Sequence, residues 1–263
     1  MTPEEVKQHL LSKVGQNHTY IPTGFKTLDT LVDGLYPGCV YVIGARPGTG
    51  KTTLVLNLLS HLPDTNVLVF ETETTREKYM EKFMSLLTHI PYRAIRTNDP
   101  VAVETLIQSA EVLLPYKFTV IDKSVPTVVD IEQALATYRP RVLVVDYFQN
   151  LDPYVGSRSQ RYGDVNVALE SVARDLEALT RKYQCSTVLV SQLKRPQEYG
   201  STPTLDDFKR CGKLEEMAHV AVVMYRDGET VIAEVVKNRD GSLGKVRFVG
   251  LWSTNRLMEV RHE

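Results

Sequence analysis

The sequence predicts an α/β domain: a mainly parallel central sheet flanked by helices, extended by antiparallel hairpins towards the C-terminus. Three observations predict it. Short apolar runs at 39–44, 67–70, 118–121, 142–145 and 187–190 are continuous rather than alternating, as in strands buried on both faces. Helical patterns fill the intervals, at 50–62, 75–88, 101–113, 128–138 and 164–183. Beyond them, close-set strand candidates at 220–225, 230–236, 244–249 and 256–260 are separated by turn signals such as Asp227-Gly228 and Asp240-Gly241.

In chain order, residues 3–14 fit a short helix with Thr2 as its cap and Val6, Leu10, Leu11 and Val14 on one side. Residues 15–20 read as a polar linker. This divides the chain into a leading segment, 1–20, and a body, 21–263. At 263 residues, 43% hydrophobic and 24% charged, the composition is that of a globular protein with a real core. A net charge of −1 gives no global basic field, so any nucleic-acid binding must come from local patches. The three cysteines are scattered, which argues against a disulfide framework or a zinc site and for a reducing cytoplasm. The N-terminus lacks a signal pattern, and no apolar run approaches membrane-spanning length.

The run from Val40 to Thr53 is the most informative stretch. An apolar strand leads into Ala45-Arg46-Pro47-Gly48-Thr49-Gly50, and Lys51-Thr52-Thr53 then opens a helix. Glycines let backbone N–H groups approach phosphate oxygens, and the helix N-terminus adds positive potential. Lys51 can reach β/γ-phosphates, and the Thr52 hydroxyl can ligate Mg²⁺. Ala45 stands where the usual Gly-x₄-Gly-Lys-Thr pattern has its first glycine. The alternative is a surface turn that happens to contain Gly-Lys-Thr.

Hydrolysis further needs a carboxylate for metal, a group that positions water, and positive charge near the reacting phosphate. Asp146 ends the fourth apolar run, at the sheet edge where open α/β sheets bind ligands, and suits the metal role. Glu71 and Glu73 both follow the second run. Residues i and i+2 point the same way on extended backbone, so spacing does not choose between them as general base. Gln192, at the end of the fifth run, can hydrogen-bond a γ-phosphate. Lys237 and Arg239 share one face of a late strand; they fit either a phosphate-reaching pair on a neighbouring subunit or a solvated hairpin end. Two basic loops can track a sugar-phosphate strand without reading sequence. One carries Arg158 and Arg161; the other carries Lys194 and Arg195, then Lys209, Arg210, Gly212 and Lys213. The alternative is a pair of merely solubilising loops, which acidic Asp206 and Asp207 keep open.

In this order, the pieces resemble the C-terminal RecA-like motor domain of DnaB-type replicative helicases. The matching stretches are Pro22-Thr23-Gly24-Phe25 with Leu28-Asp29, Ala45-Arg46-Pro47 with Gly50-Lys51-Thr52, and Glu73. They continue with Val145-Asp146-Tyr147 and Gln149, then Ser191-Gln192-Leu193-Lys194-Arg195 and Gly212 with Leu214-Glu215. Tyr225-Arg226-Asp227 and Lys237-Asn238-Arg239 with Gly241 complete the set, which covers about residues 20–260. Ala45-Arg46-Pro47 is itself a trait of that family.

The resemblance implies a RecA-like P-loop NTPase fold that uses ATP, or another NTP, with Mg²⁺. It makes Glu73, not Glu71, the catalytic base and Gln192 the link between nucleotide state and the DNA-binding loops. It also implies that Lys237 and Arg239 act in trans on the adjacent subunit's nucleotide. Lys209, Arg210 and Gly212 match the segment on the DNA backbone, although the family usually has an acidic residue where Arg210 stands. The implied partners are single-stranded DNA, a homo-hexameric ring in which the leading helix packs on a neighbour, and also primase and a helicase loader. Family members usually carry an N-terminal collar domain. Residues 1–20 hold none, so the expectation is an excised domain or a compact phage or plasmid version. The alternatives are a recombinase-like or clock-like relative in the same superfamily, and a non-enzymatic nucleotide-binding module that regulates a partner.

Overall fold

A computed structural model of the chain describes residues 2–13, 20–154, 165–194, 201–208 and 212–260. Among these, the strands form one nine-stranded sheet in the order β3-β2-β4-β5-β1-β6-β7-β8-β9. The strands are β1 (Val40–Ala45), β2 (Asn66–Glu71), β3 (Lys117–Asp122), β4 (Val142–Asp146), β5 (Ser186–Gln192), β6 (Val220–Asp227), β7 (Thr230–Asn238), β8 (Gly244–Leu251) and β9 (Arg256–Glu259). Strands β1 to β6 pair in parallel, whereas β7, β8 and β9 add antiparallel. The expected architecture is therefore observed.

The continuous apolar runs follow from burial on both faces. On one face Tyr41, Ile43 and Ala45 of β1 pack with Leu54 and Leu58 of α3 (Lys51–Ser60) and Phe83 of α4 (Arg76–Thr88). On the other, Val40 and Val42 meet Ile131 and Leu135 of α7 (Val128–Tyr138) and Val172 and Leu176 of α8 (Val165–Tyr183). Alternate residues of one strand thus enter separate cores, and every position is apolar. The leading helix α1 (Pro3–Lys13) opens with a reciprocal cap: Glu5 N–H donates to Thr2 Oγ1 at 3.3 Å and Thr2 N–H to Glu5 Oε2 at 2.6 Å. Its Val6 and Leu11 are exposed. No helix among the described residues is long and apolar enough to cross a membrane.

Four local features differ from the sequence reading. Helix α2 (Lys26–Val32) and helix α5 (Tyr92–Arg96) are too short to show a helical period. Asp29 of α2 folds back to accept from Thr23 N–H (2.8 Å) and Gly24 N–H (3.1 Å), which explains the local Thr-Gly…Asp pattern. The helix expected at 101–113 is α6 (Pro100–Gln108) followed by a 3₁₀ turn, Ala110–Leu113. There the Ser109 N–H is shared between the Thr105 and Leu106 carbonyls, which tightens the ladder. Finally, residues read as the end of a basic loop begin helix α9 (Gly212–Met217).

Candidate active site

The loop between β1 and α3 takes the shape its glycines allow. Gly48 (φ +75°) and Gly50 (φ +107°) occupy left-handed backbone that a side chain would strain. Thr49 N–H closes onto Arg46 O at 3.3 Å, and Leu54 N–H starts the helix on Gly50 O at 2.9 Å. Pro47 and Gly48 are exposed on the crest, Thr49 is buried, and Lys51, Thr52 and Thr53 are half-buried at the start of α3.

The parallel register brings the other strand ends to this loop. Ala45 pairs with Gln192, and Glu71 with Asp146. Strands β2, β4 and β5 run one or two residues past their apolar runs, so Glu71, Asp146 and Gln192 are final strand residues. Asp146 is 2% exposed. Burial, then the neighbouring Glu71 carboxylate, pushes its carboxyl up to about 7; the Thr52 hydroxyl and Lys51 pull the other way. Lys51 is held below its ordinary value by burial, against the attraction of Asp146 and Glu73. These mutual effects place Lys51, Thr52, Glu73 and Asp146 in one cluster. Asp146 Oδ2 is buried with no hydrogen-bond partner. An orphaned carboxylate oxygen beside a hydroxyl, with its charge disfavoured, is a donor set that fits a divalent cation.

Glu71 and Glu73, equivalent by spacing, differ in the structure. Glu71 is buried (3% exposed), and its Oε1 accepts from Glu73 N–H (2.9 Å) and Thr74 N–H (2.8 Å). Glu73 lies beyond the strand end and is exposed. The i, i+2 rule fails because the extended backbone stops at Glu71.

Gln192 also projects into solvent, and its backbone is clamped by Gln149. Gln149 Nε2 donates to Ser191 Oγ (2.8 Å) and Gln192 O (3.1 Å), and its Oε1 accepts from Gln192 N–H (3.1 Å). Arg46 donates from Nη1 to Ser201 O at 2.8 Å. Arg226 and Trp252 pack against the loop, with Trp252 3.0 Å from where a Cβ on Gly50 would stand. A cleft of about 500 Å³ opens between Arg46–Thr49, Ser201–Thr202 and the end of β6. Nothing in the sequence marks Gln149, Ser201, Arg226 or Trp252 as a site residue by itself. The only signal was that Gln149 and Arg226 belong to the matching motifs.

Lys237 and Arg239 lie elsewhere. Through β6, Lys237 is level with Val42, and Arg239 N–H bonds His219 O beside Val40. Arg239 thus sits roughly 16 Å along the sheet from the loop of its own chain, at the opposite edge. Both side chains donate to the last turn of α9: Lys237 Nζ to Glu215 O (2.5 Å) and Glu216 O (3.1 Å), and Arg239 Nη2 to Glu216 O (2.6 Å). The two cations do share one face, as expected.

Of the candidate nucleic-acid contacts, Arg158, Arg161, Arg195, Lys209 and Arg210 lie outside the described residues. Lys194 is half-buried, and its N–H bonds Asp207 O at 3.3 Å. Gly212 starts α9, and Lys213 pairs with Glu216 within it at 3.0 Å.

A family model, the DnaB-like helicase C-terminal domain, matches residues 20–258. Replicative DNA helicase DnaB of Haemophilus influenzae is 30% identical over 270 residues, covering 92% of this chain and 56% of that protein. The DnaB of Buchnera aphidicola from Acyrthosiphon pisum is 32% identical over 262 residues, covering 89% and 55%. The chain spans about half the length of the curated relatives it matches. Among solved structures, one described as an ATPase domain superposes with a TM-score of 0.88 at 21% identity, covering 99% of each chain. A DnaB-like replicative helicase described with its interactions with primase gives 0.85 at 23% identity, covering 98% of this chain and 66% of the other. These two likenesses establish the fold as that of DnaB-like helicase ATPase domains.

Proposed function

Because the chain belongs to the DnaB-like helicase C-terminal domain family, we propose that it is a replicative helicase motor. It hydrolyses ATP or another NTP at seams between subunits, and uses the energy to move along single-stranded DNA and separate duplexes. One observation carries this reading: Lys51, Thr52, Glu73, Asp146 and Gln192 gather at one sheet edge, whereas Lys237 and Arg239 lie back along the sheet, Arg239 at the opposite edge.

In this mechanism the Arg46–Thr49 crest and the start of α3 cradle the β- and γ-phosphates, and the Lys51 ammonium offsets their charge. Thr52 and Asp146 hold Mg²⁺, which when bound neutralises charge building between the β- and γ-phosphates. Glu73 takes a proton from the attacking water. The water oxygen bonds to the γ-phosphorus, the bond to the β–γ bridging oxygen breaks, and a nucleoside diphosphate and inorganic phosphate result. Gln192 hydrogen-bonds the γ-phosphate, and loss of that phosphate is felt along β5 by the segment after Leu193. Lys237 and Arg239 of a second copy supply the remaining positive charge, so the working form is a ring, a homo-hexamer. The leading segment 1–20 serves that ring as a linker and the body 21–263 as the motor. Arg158, Arg161, Lys194, Arg195, Lys209, Arg210, Gly212 and Lys213 line the DNA path. Primase and a helicase loader are the protein partners, in the cytoplasm.

The test combines NTP turnover with and without single-stranded DNA, strand displacement on forked duplexes, and mass measurement with and without nucleotide. DNA-stimulated turnover with displacement by an assembled ring is expected. A protomer that stays alone under every condition and hydrolyses at full rate overturns the proposal; filaments on DNA favour a recombinase-like motor.

A further inference from the structure

The segment that carries Glu73 is pinned on both sides. Upstream, Thr72 N–H and Oγ1 donate to Asp146 O at 2.9 and 3.1 Å. Thr72 Oγ1 in turn accepts from Tyr147 N–H (3.0 Å) and Asn150 Nδ2 (3.1 Å). From below, the single oxygen Glu71 Oε1 takes both the Glu73 and the Thr74 N–H, at 2.9 and 2.8 Å. Burying a carboxylate beside Asp146 is costly unless the charge is well hydrogen-bonded. Two main-chain donors on one oxygen are what a carboxylate accepts well. Those donors belong to Glu73 itself and to the residue after it. With its own N–H and the preceding residue both anchored, the Glu73 Cα–Cβ bond has one direction.

We propose that Glu71 is a positioning residue for hydrolysis: it holds the Glu73 main chain so that the Glu73 carboxylate faces the attacking water. The proposal rests on the reading of Glu73 as general base. It is independent of the charge on Glu71, because the working atom is an acceptor oxygen. A glutamine keeps that oxygen; an aspartate keeps the charge but is one methylene too short to reach both N–H groups.

The test uses the full chain with Mg·ATP and single-stranded DNA, measuring kcat, KM and thermal unfolding for E71A, E71D, E71Q, E73Q and E71A/E73Q. A misplaced general base costs about 10²-fold in rate. E71A and E71D are therefore expected to lose kcat by about 10²-fold with KM within about twofold of the parent. E71Q is expected to keep kcat within about threefold, a rescue that a role for the charge does not allow. E71A/E73Q should be no slower than E73Q, because Glu71 acts through Glu73. If E71A does not fold, E71D against E71Q decides. The proposal is overturned if E71D keeps the parental kcat, if E71Q is as slow as E71D, or if the E71A and E73Q losses multiply. An E73Q variant at full rate instead rejects the general-base reading and leaves the Glu71 bonds as structure alone.

Discussion

The Arg226 guanidinium lies 4.4 Å from the Trp252 ring centroid, while its Nη2 donates to Gly48 O at 3.2 Å. The end of β6, the turn after β8 and the crest of the loop between β1 and α3 are thereby tied together. An exposed to half-desolvated cation–π contact contributes about 0.5–2 kcal/mol. W252A is expected to weaken Mg·nucleotide binding by roughly 2- to 30-fold. R226A should do the same, and the double variant should lose less than the sum. Calorimetric titration with a non-hydrolysable analogue measures this; unchanged affinity in both single variants refutes the tie.

Removing Lys51 and removing Arg239 should act differently. K51A is expected to abolish turnover and weaken binding, because Lys51 opens α3 beside Asp146 and Glu73, where the proposed mechanism puts the phosphates. R239A should lose turnover by roughly 10³–10⁵-fold while still binding nucleotide, because Arg239 is remote from the loop of its own chain. Turnover and fluorescent-nucleotide binding separate the two. An R239A protein with parental turnover rules out the trans role.

Gly44 is a packing position. A Cβ there would stand 2.3 Å from Phe208 Cζ and 2.6 Å from Leu193 Cδ2, both of buried side chains. G44A therefore forces the 3₁₀ turn Leu205–Phe208 away from β1. A loss of about 1–3 kcal/mol is expected, or roughly 2–4 °C in Tm per kcal/mol. Differential scanning calorimetry checks it; an unchanged Tm shows that Phe208 moves without cost.

His219 should give stability a pH dependence. Burial, then the nearby Arg239, holds its imidazolium below the ordinary histidine value; Arg181 acts in the same sense, and Asp240 and Glu177 oppose. Its Nδ1 accepts from Val40 N–H at 3.5 Å, which requires the neutral ring. Since the folded pKa is depressed, the unfolded chain takes up the proton first. The contribution is complete above about pH 6.5 and is lost as pH falls below it. The urea midpoint of the parent should fall more between pH 7.5 and 5.5 than that of H219N. Parallel curves for the two refute this.

Affinity for single-stranded DNA should fall with salt, with a log–log slope of about −0.7 per neutralised phosphate. Replacing Lys194, or any of Arg158, Arg161, Arg195, Lys209 and Arg210, is expected to reduce that slope by about 0.7. A slope unaffected by all of these variants puts the DNA on another surface.

The sheet, its two covering layers and the glycine loop between β1 and α3 were legible because each is local. Doubly buried strands leave unbroken apolar runs, and a phosphate loop is one contiguous stretch. The positions of Asp146 and Gln192 at strand ends were legible for the same reason, because they follow such runs. Glu71 and Glu73 were not separable, because the choice depends on where β2 stops, and strand ends are set by pairing with β3 and β4. Gln149 holds Gln192, Arg46 holds Ser201, and Trp252 meets Gly50. Each pair is far apart in the chain, and a single sequence carries no trace of such meetings. Helix α9 escaped notice because six residues do not complete two turns.

The reversal of chain direction between β6 and β7 carries Arg239 to the sheet edge opposite Lys51, so in the proposed ring each protomer would hold two separate halves of a reaction centre. Defects in different halves should therefore complement. A stoichiometric blend of K51A and R239A chains, each expected to be inert alone, should regenerate intact centres wherever an R239A loop abuts a K51A finger. Random assortment makes about one quarter of the junctions competent.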